Sequence, residues 1–139
     1  MASIQFFSEG ITFRLSKPRS KIIWLKKAIA SEGKSLEALT YVFCSDAYLL
    51  QINQDFLQHN TFTDIITFDH SEGDLLQGEI YISVDRVREN AIKYKVTFEQ
   101  ELARVMIHGV LHLAGYRDKK PAEKALMRKK EEAYLSLLP

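Results

Sequence analysis

Residues 97–118 read TFEQELARVMIHGVLHLAGYRD, and the way this stretch folds decides the rest of the molecule. Thr97 followed three residues later by Gln100 has the form of a capping box, in which each side chain satisfies an amide left open by the first helical turn. From there the chain runs without a breaker to Gly115, which stands where a helix C-terminal glycine belongs. The spacing predicts the longest helix of the chain. His108 and His112 are four apart, so both rings project from one face of that helix about one turn from each other. Two ring nitrogens so placed can bind one ion at about 2.0–2.1 Å without bending the helix. Gly115 permits a left-handed backbone that turns the chain back toward the same face, and Asp118 then arrives as a third ligand.

The pattern is HxxxHxxGxxD. Two histidines at this spacing alone read better as a satisfied pair in a helix core; the glycine and the aspartate move the reading to a metal site. Three protein ligands with a fourth position open describe a catalytic rather than a structural centre. Metalloproteases share the spacing as HExxHxxGxxH, but their general-base glutamate is Gly109 here, which disfavours a peptidase.

The remainder of the chain bounds the problem. At 139 residues it has the length of one domain, residues 1–139, and 46% hydrophobic with 27% charged residues suits a soluble protein with a true core. Cys44 is its single cysteine, so neither an internal disulfide nor a four-cysteine zinc site is expected, and its apolar neighbours LTYVFC predict a buried reduced thiol. No disulfide-linked partner is expected either. No basic head precedes a long apolar run at the start and no window reaches about 18 apolar residues, so a cytoplasmic setting without membrane contact is expected. Net charge is only +1, but seven basic residues lie between Arg14 and Lys34 against Glu32 alone, and Arg117, Lys119, Lys120, Lys124, Arg128, Lys129 and Lys130 cluster beside the histidine motif. Each cluster alone reads as a solvated helix face; one that begins inside a metal motif points to an anionic ligand.

IQFF and ITFRL around the turn SEG predict a short hairpin or two edge strands. Pro18 opens a helix through IIWLKKAIA, EALTYVFCS predicts a central strand, and Ser45 with Asp46 caps a helix AYLLQINQDFL whose face carries Leu49, Ile52 and Phe56. DIITFD and GEIYISV predict strands separated by a loop SEGDLLQG, Asp85 caps DRVRENAIKYK, and Pro121 opens a last helix with Ala125, Met127, Ala133 and Leu137 among its apolar positions. Phe6, Phe7, Phe13 and Trp24 are assigned to the core, Asp64 and Asp69 to the solvated ends of a strand, and His70 to a loop. The sum is an α+β fold: a small mixed sheet of four or five strands packed with helices.

HGVLHLAGYRD resembles the signature HGxLHLxGYDH of the YbeY family of metal-dependent endoribonucleases and rRNA maturation factors. INQDFLQHNTFTDIITFD is similar to that family's LNxxYRxxDxPTDVLSF, QGEIYISV to its LGDIxIS, and AEKALMRKKEE to its Met-containing tail helix; together they span about residues 36 to 135. The resemblance implies a zincin-like fold and one zinc-type divalent ion, with nickel or another transition metal as alternatives, held by His108, His112 and Asp118. It implies single-strand-specific RNA cleavage in 16S rRNA 3′-end maturation and ribosome quality control, with an rRNA precursor and the small ribosomal subunit as partners. The alternative is a non-catalytic, metal-containing RNA- or ribosome-binding assembly factor. Three positions depart from the family: Asp118 replaces its third histidine, Leu57 its arginine, and Phe62 its proline, while Thr63 and Asp64 are kept. His59, Arg117 and Lys119 are the candidates to contact substrate in place of the missing arginine. The general base is not assigned by the sequence.

Overall fold

The computed structural model describes residues 2–58 and 63–139. The elements follow in the order β1 (Ser3–Glu9), α1 (Pro18–Ser31), β2 (Ser35–Cys44), α2 (Asp46–Leu57), β3 (Ile65–Asp69), β4 (Leu75–Ser83), α3 (Val84–Tyr94), α4 (Phe98–Leu113) and α5 (Pro121–Leu135). The four strands form one sheet in the order β1-β2-β4-β3, with β1, β2 and β4 parallel and β3 antiparallel on the edge.

The two faces of the sheet are dressed differently, as the period of two along a strand dictates. Leu39, Tyr41 and Phe43 of β2 and Leu76, Ile80 and Ile82 of β4 point into the main core with α1 and α4. Cys44 and Ile66 face the other way, against Leu49 and Ile52 of α2. Helix α4 is the centre of this packing. Its capping box is formed, with Gln100 N–H donating to Thr97 Oγ1 at 3.0 Å and Thr97 N–H to Gln100 Oε1 at 2.9 Å. From Leu102 to Leu113 it buries Leu102, Ala103, Val105, Met106, Ile107, Gly109, Val110, Leu111 and Leu113, a nearly all-round apolar helix of the kind found inside a domain. Tyr41 Oη, at the bottom of the core, donates to the Met106 carbonyl at 2.8 Å, so this buried hydroxyl is satisfied.

Several sequence expectations are corrected. ITFRL is not a strand: β1 already occupies the edge of β2 in parallel register, and Phe13 and Leu15 instead plug the core, Phe13 lying 5.1 Å from the Phe43 ring. Strand β4 begins at Leu75, inside the expected loop, because Leu76 reaches the main core. Ser83, not Asp85, caps α3, its hydroxyl accepting from the Arg86 amide, while Asp85 sits in the first turn. The inward face of α5 is Met127, Glu131 and Tyr134, and Ala125, Ala133 and Leu137 are exposed. Phe7 and Phe56 are exposed rather than core. Cys44 is fully buried and burial pushes its thiol up to about 12, so it behaves as a small apolar residue.

Glu32, the lone acid of the first basic cluster, is nearly buried where α1 ends. Its carboxylate accepts from Tyr116 Oη at 2.6 Å, from Tyr134 Oη, and from Lys130 Nζ at 3.2 Å. Burial alone would raise its pKa, but these three donors outweigh it and hold the carboxyl below its ordinary 4.5. A depressed folded-state pKa gives stability that is present above the ordinary carboxylate range and lost as pH falls through it. Glu32→Gln is therefore expected to lower the urea midpoint at pH 7 and to flatten its decline toward pH 3. An acid limb unchanged from wild type would contradict this.

Candidate metal centre

The end of α4 builds the site. Gly115 has φ +106°, and the turn after the helix is a Schellman motif: Gly115 N–H donates to the His112 carbonyl and Tyr116 N–H to the Leu111 carbonyl, both at 3.0 Å. This turn swings the chain back so that Asp118 faces the two histidines. Asp118 Oδ2 lies 3.3 Å from His108 Nε2 and 3.3 Å from His112 Nε2. The three potential ligand atoms fall within 4.8 Å of one another.

The other ring nitrogens settle which atoms can bind. His108 Nδ1 is 2.5 Å from Glu131 Oε2, and His112 Nδ1 is 3.0 Å from the Tyr116 carbonyl oxygen. A carboxylate and a carbonyl accept, so each Nδ1 carries a proton, and in the neutral ring each Nε2 is the nitrogen left to offer a lone pair. Two imidazole lone pairs and a carboxylate oxygen thus converge on one point. Without a cation or a shared proton, that convergence is repulsive. The donor set, with each histidine oriented through its second nitrogen, fits a divalent ion of the zinc type.

Behind His108 stands a buried ionic network that sequence reading did not find. Glu131 on α5 is 2% exposed, and its second oxygen lies 3.3 Å from Arg104 Nη1. Arg104 in turn grips Glu101, also 2% exposed, through Nε at 3.0 Å and Nη2 at 2.5 Å. Burial pushes the Glu131 carboxyl up, but the hydrogen bond from His108 and the Arg104 charge overcome it and hold it below the usual range. Asp64 also belongs here: its side chain is only a quarter exposed, 4.0 Å from Arg104, and burial raises its carboxyl against the pull of Arg104 and His108. The available signal was Glu101 and Arg104 themselves, two opposite charges three apart at the head of a long apolar run. Glu131 left none, since only the packing of α5 turns it inward.

Gly109 explains the missing glutamate. A Cβ built there would lie 2.7 Å from Ile80 Cδ1 and 3.2 Å from Ile65 Cδ1, so this side of α4 is pressed against the sheet and has no room for a carboxylate. Gly109→Ala is expected to cost about 1–3 kcal/mol by overpacking, measured by urea unfolding. A variant as stable as wild type would show that Ile80 can move aside.

Among the other sequence candidates, Arg117 and Lys119 flank Asp118 in the connection to α5, and His59 lies outside the described residues. Glu123 accepts from the Lys119 and Lys120 amides, fixing that connection just after Asp118. His70 pairs with Glu79 at 3.1 Å and is not among the three converging residues.

Fold and site together define a zincin-like α+β protein whose two histidines and one aspartate sit on a single helix and its exit turn. Residues 9–139 match the family described as Endoribonuclease YbeY. A protein named Endoribonuclease YbeY from Flavobacterium psychrophilum is 53% identical over 94% of each chain, and one from Bacteroides thetaiotaomicron is 42% identical over 97% of this chain and 98% of its own. The solution structure of TM1509 from Thermotoga maritima is similar with a TM-score of 0.70 and 29% identity, over 98% of this chain and 89% of that one. The chain belongs to the Endoribonuclease YbeY family.

Proposed function

We propose that this protein is a single-strand-specific, metal-dependent endoribonuclease that acts in rRNA processing, with His108, His112 and Asp118 holding one divalent ion, zinc being the metal best matched to two imidazoles and a carboxylate. Family membership supports hydrolysis of RNA. The convergence of three lone-pair atoms on one point, with both Nδ1 protons already bound elsewhere, is the observation that carries the metal assignment. Bound there, such an ion supplies a Lewis acid for a phosphate oxygen and a water of lowered pKa. The chain's own part is orientation: Glu131 and the Tyr116 carbonyl fix the two rings, and the Schellman turn fixes Asp118. With no carboxylate possible at Gly109, peptide hydrolysis in the manner of HExxH proteases is not supported.

The setting we propose is the cytoplasm, on an rRNA precursor at the small ribosomal subunit, including 16S 3′-end maturation and quality control. Among the described residues no helix is long and apolar enough to cross a membrane. The test is cleavage of a labelled single-stranded oligoribonucleotide by protein purified without added metal, before and after chelation and after zinc is restored. Cleavage should vanish on chelation and return with zinc. Metal-bound protein that binds RNA but never cuts it would favour the assembly-factor role instead.

A further inference from the structure

One cleft of about 200 Å³ joins the candidate centre to α5; its walls are Arg104, His108, Asp118, Lys124, Met127, Arg128 and Glu131. Lys124 and Arg128 are one helical turn apart, so both stand on the same face of α5, and buried Met127 floors the space between them. Their charges are not consumed by the protein. Among the described residues Lys124 makes no ion pair, and the contact of Arg128 is a 3.9 Å approach to a Glu131 oxygen that Arg104 already occupies at 3.3 Å. Arg104 is different, since Glu101 and Glu131 neutralise it. Of the three cations in the cleft wall, then, two are free for an outside anion.

From this we infer that Lys124 and Arg128 form a phosphate subsite on α5, holding an RNA phosphate adjacent to the one at the metal centre. The inference rests on the nuclease reading above and deepens it by naming the substrate contacts. The chemistry is specific in one respect. The guanidinium of Arg128 offers a planar fork suited to two phosphate oxygens, and Lys124 a mobile point charge one helical turn away. Both are exposed, which suits a contact that a flexible polyanion makes and releases.

The test compares Lys124→Gln/Arg128→Gln with a charge-matched control, Lys93→Gln/Lys95→Gln, at the far end of α3. KM for a single-stranded oligoribonucleotide, kcat, the salt dependence of anisotropy-measured RNA binding, and zinc affinity are read for each. The subsite variant should raise KM about tenfold with kcat nearly unchanged. Its salt slope should be shallower by roughly 0.7, the value for the one single-strand phosphate that the protein no longer neutralises. Zinc affinity should stay at the wild-type value, and the control should behave as wild type. Unchanged KM and salt slope, or an equal change in the control, would overturn the subsite. If the wild type shows no chelator-sensitive cleavage, the nuclease reading fails instead, and the anisotropy comparison still decides whether Lys124 and Arg128 bind the strand.

Discussion

Asp118→Ala is expected to weaken zinc binding by on the order of 10³, more than the ~10–100-fold typical of losing a residue that merely orients a ligand, because a third of the ligand set goes with it. RNA cleavage should fall in proportion. The metal-free protein should at the same time be at least as stable as wild type, its urea midpoint unchanged or raised, since the substitution removes one of three lone pairs that crowd a single point. This opposition, tighter folding without metal and weaker binding of it, separates a ligand from a structural acid. Titration calorimetry with zinc and urea unfolding of the chelated protein measure the two halves. Wild-type zinc affinity in the variant would remove Asp118 from the centre. Asp118→His restores a nitrogen donor and should recover part of the affinity.

The second large effect is expected at Glu131, which is not itself among the three converging ligands. Its two oxygens serve two donors, His108 Nδ1 at 2.5 Å and Arg104 Nη1 at 3.3 Å. A glutamine has one oxygen and one amide group, so whichever way it turns, one donor faces another donor in a buried place. Breaking a buried charge pair of this kind costs about 3–5 kcal/mol when a partner is left uncompensated. Glu101 still neutralises Arg104 here, so a loss of roughly 1–3 kcal/mol, the cost of one unsatisfied buried group, is expected. Zinc affinity should drop about 10–100-fold as His108 loses its fixed ring orientation. Nitrogen NMR of the metal-free variant should show the His108 tautomer mixed while His112, held by the Tyr116 carbonyl, keeps its Nδ1 proton. An unmixed His108 with unchanged zinc affinity would show that the ring is fixed by packing alone.

How far the sequence went depends on the range of the interaction involved. Helix α4 and its turn were legible because their determinants are local: Thr97 with Gln100, the i,i+4 histidines, and Gly115 are all satisfied within a few residues. The three converging residues lie close together in the chain, between His108 and Asp118, so backbone geometry alone could bring them together. Glu131 was not legible, because a lysine-rich helix with an acidic pair gives no sign of which acid turns inward; that is decided by Met127 and Tyr134 seating α5 against the core. ITFRL misled for a related reason. Its alternating apolar residues fit a strand, but the edge it would have joined was taken by β1, and the same alternation serves as well for plugs into a core. Gly109 could be read as the absence of a base but not as a consequence of Ile80 pressing on the helix, which is a contact between distant parts of the chain.

The Glu32 junction has one more consequence. A carboxylate at the end of the first helix holds hydroxyls from the turn before Asp118 and from the last helix, so a growing polypeptide completes this junction only once Tyr134 has emerged. Incomplete chains carry the two imidazoles and the aspartate but lack both Glu131 and the Tyr134 anchor. A chain cut short before Glu131 would keep the three converging side chains and lose the carboxylate that orients His108.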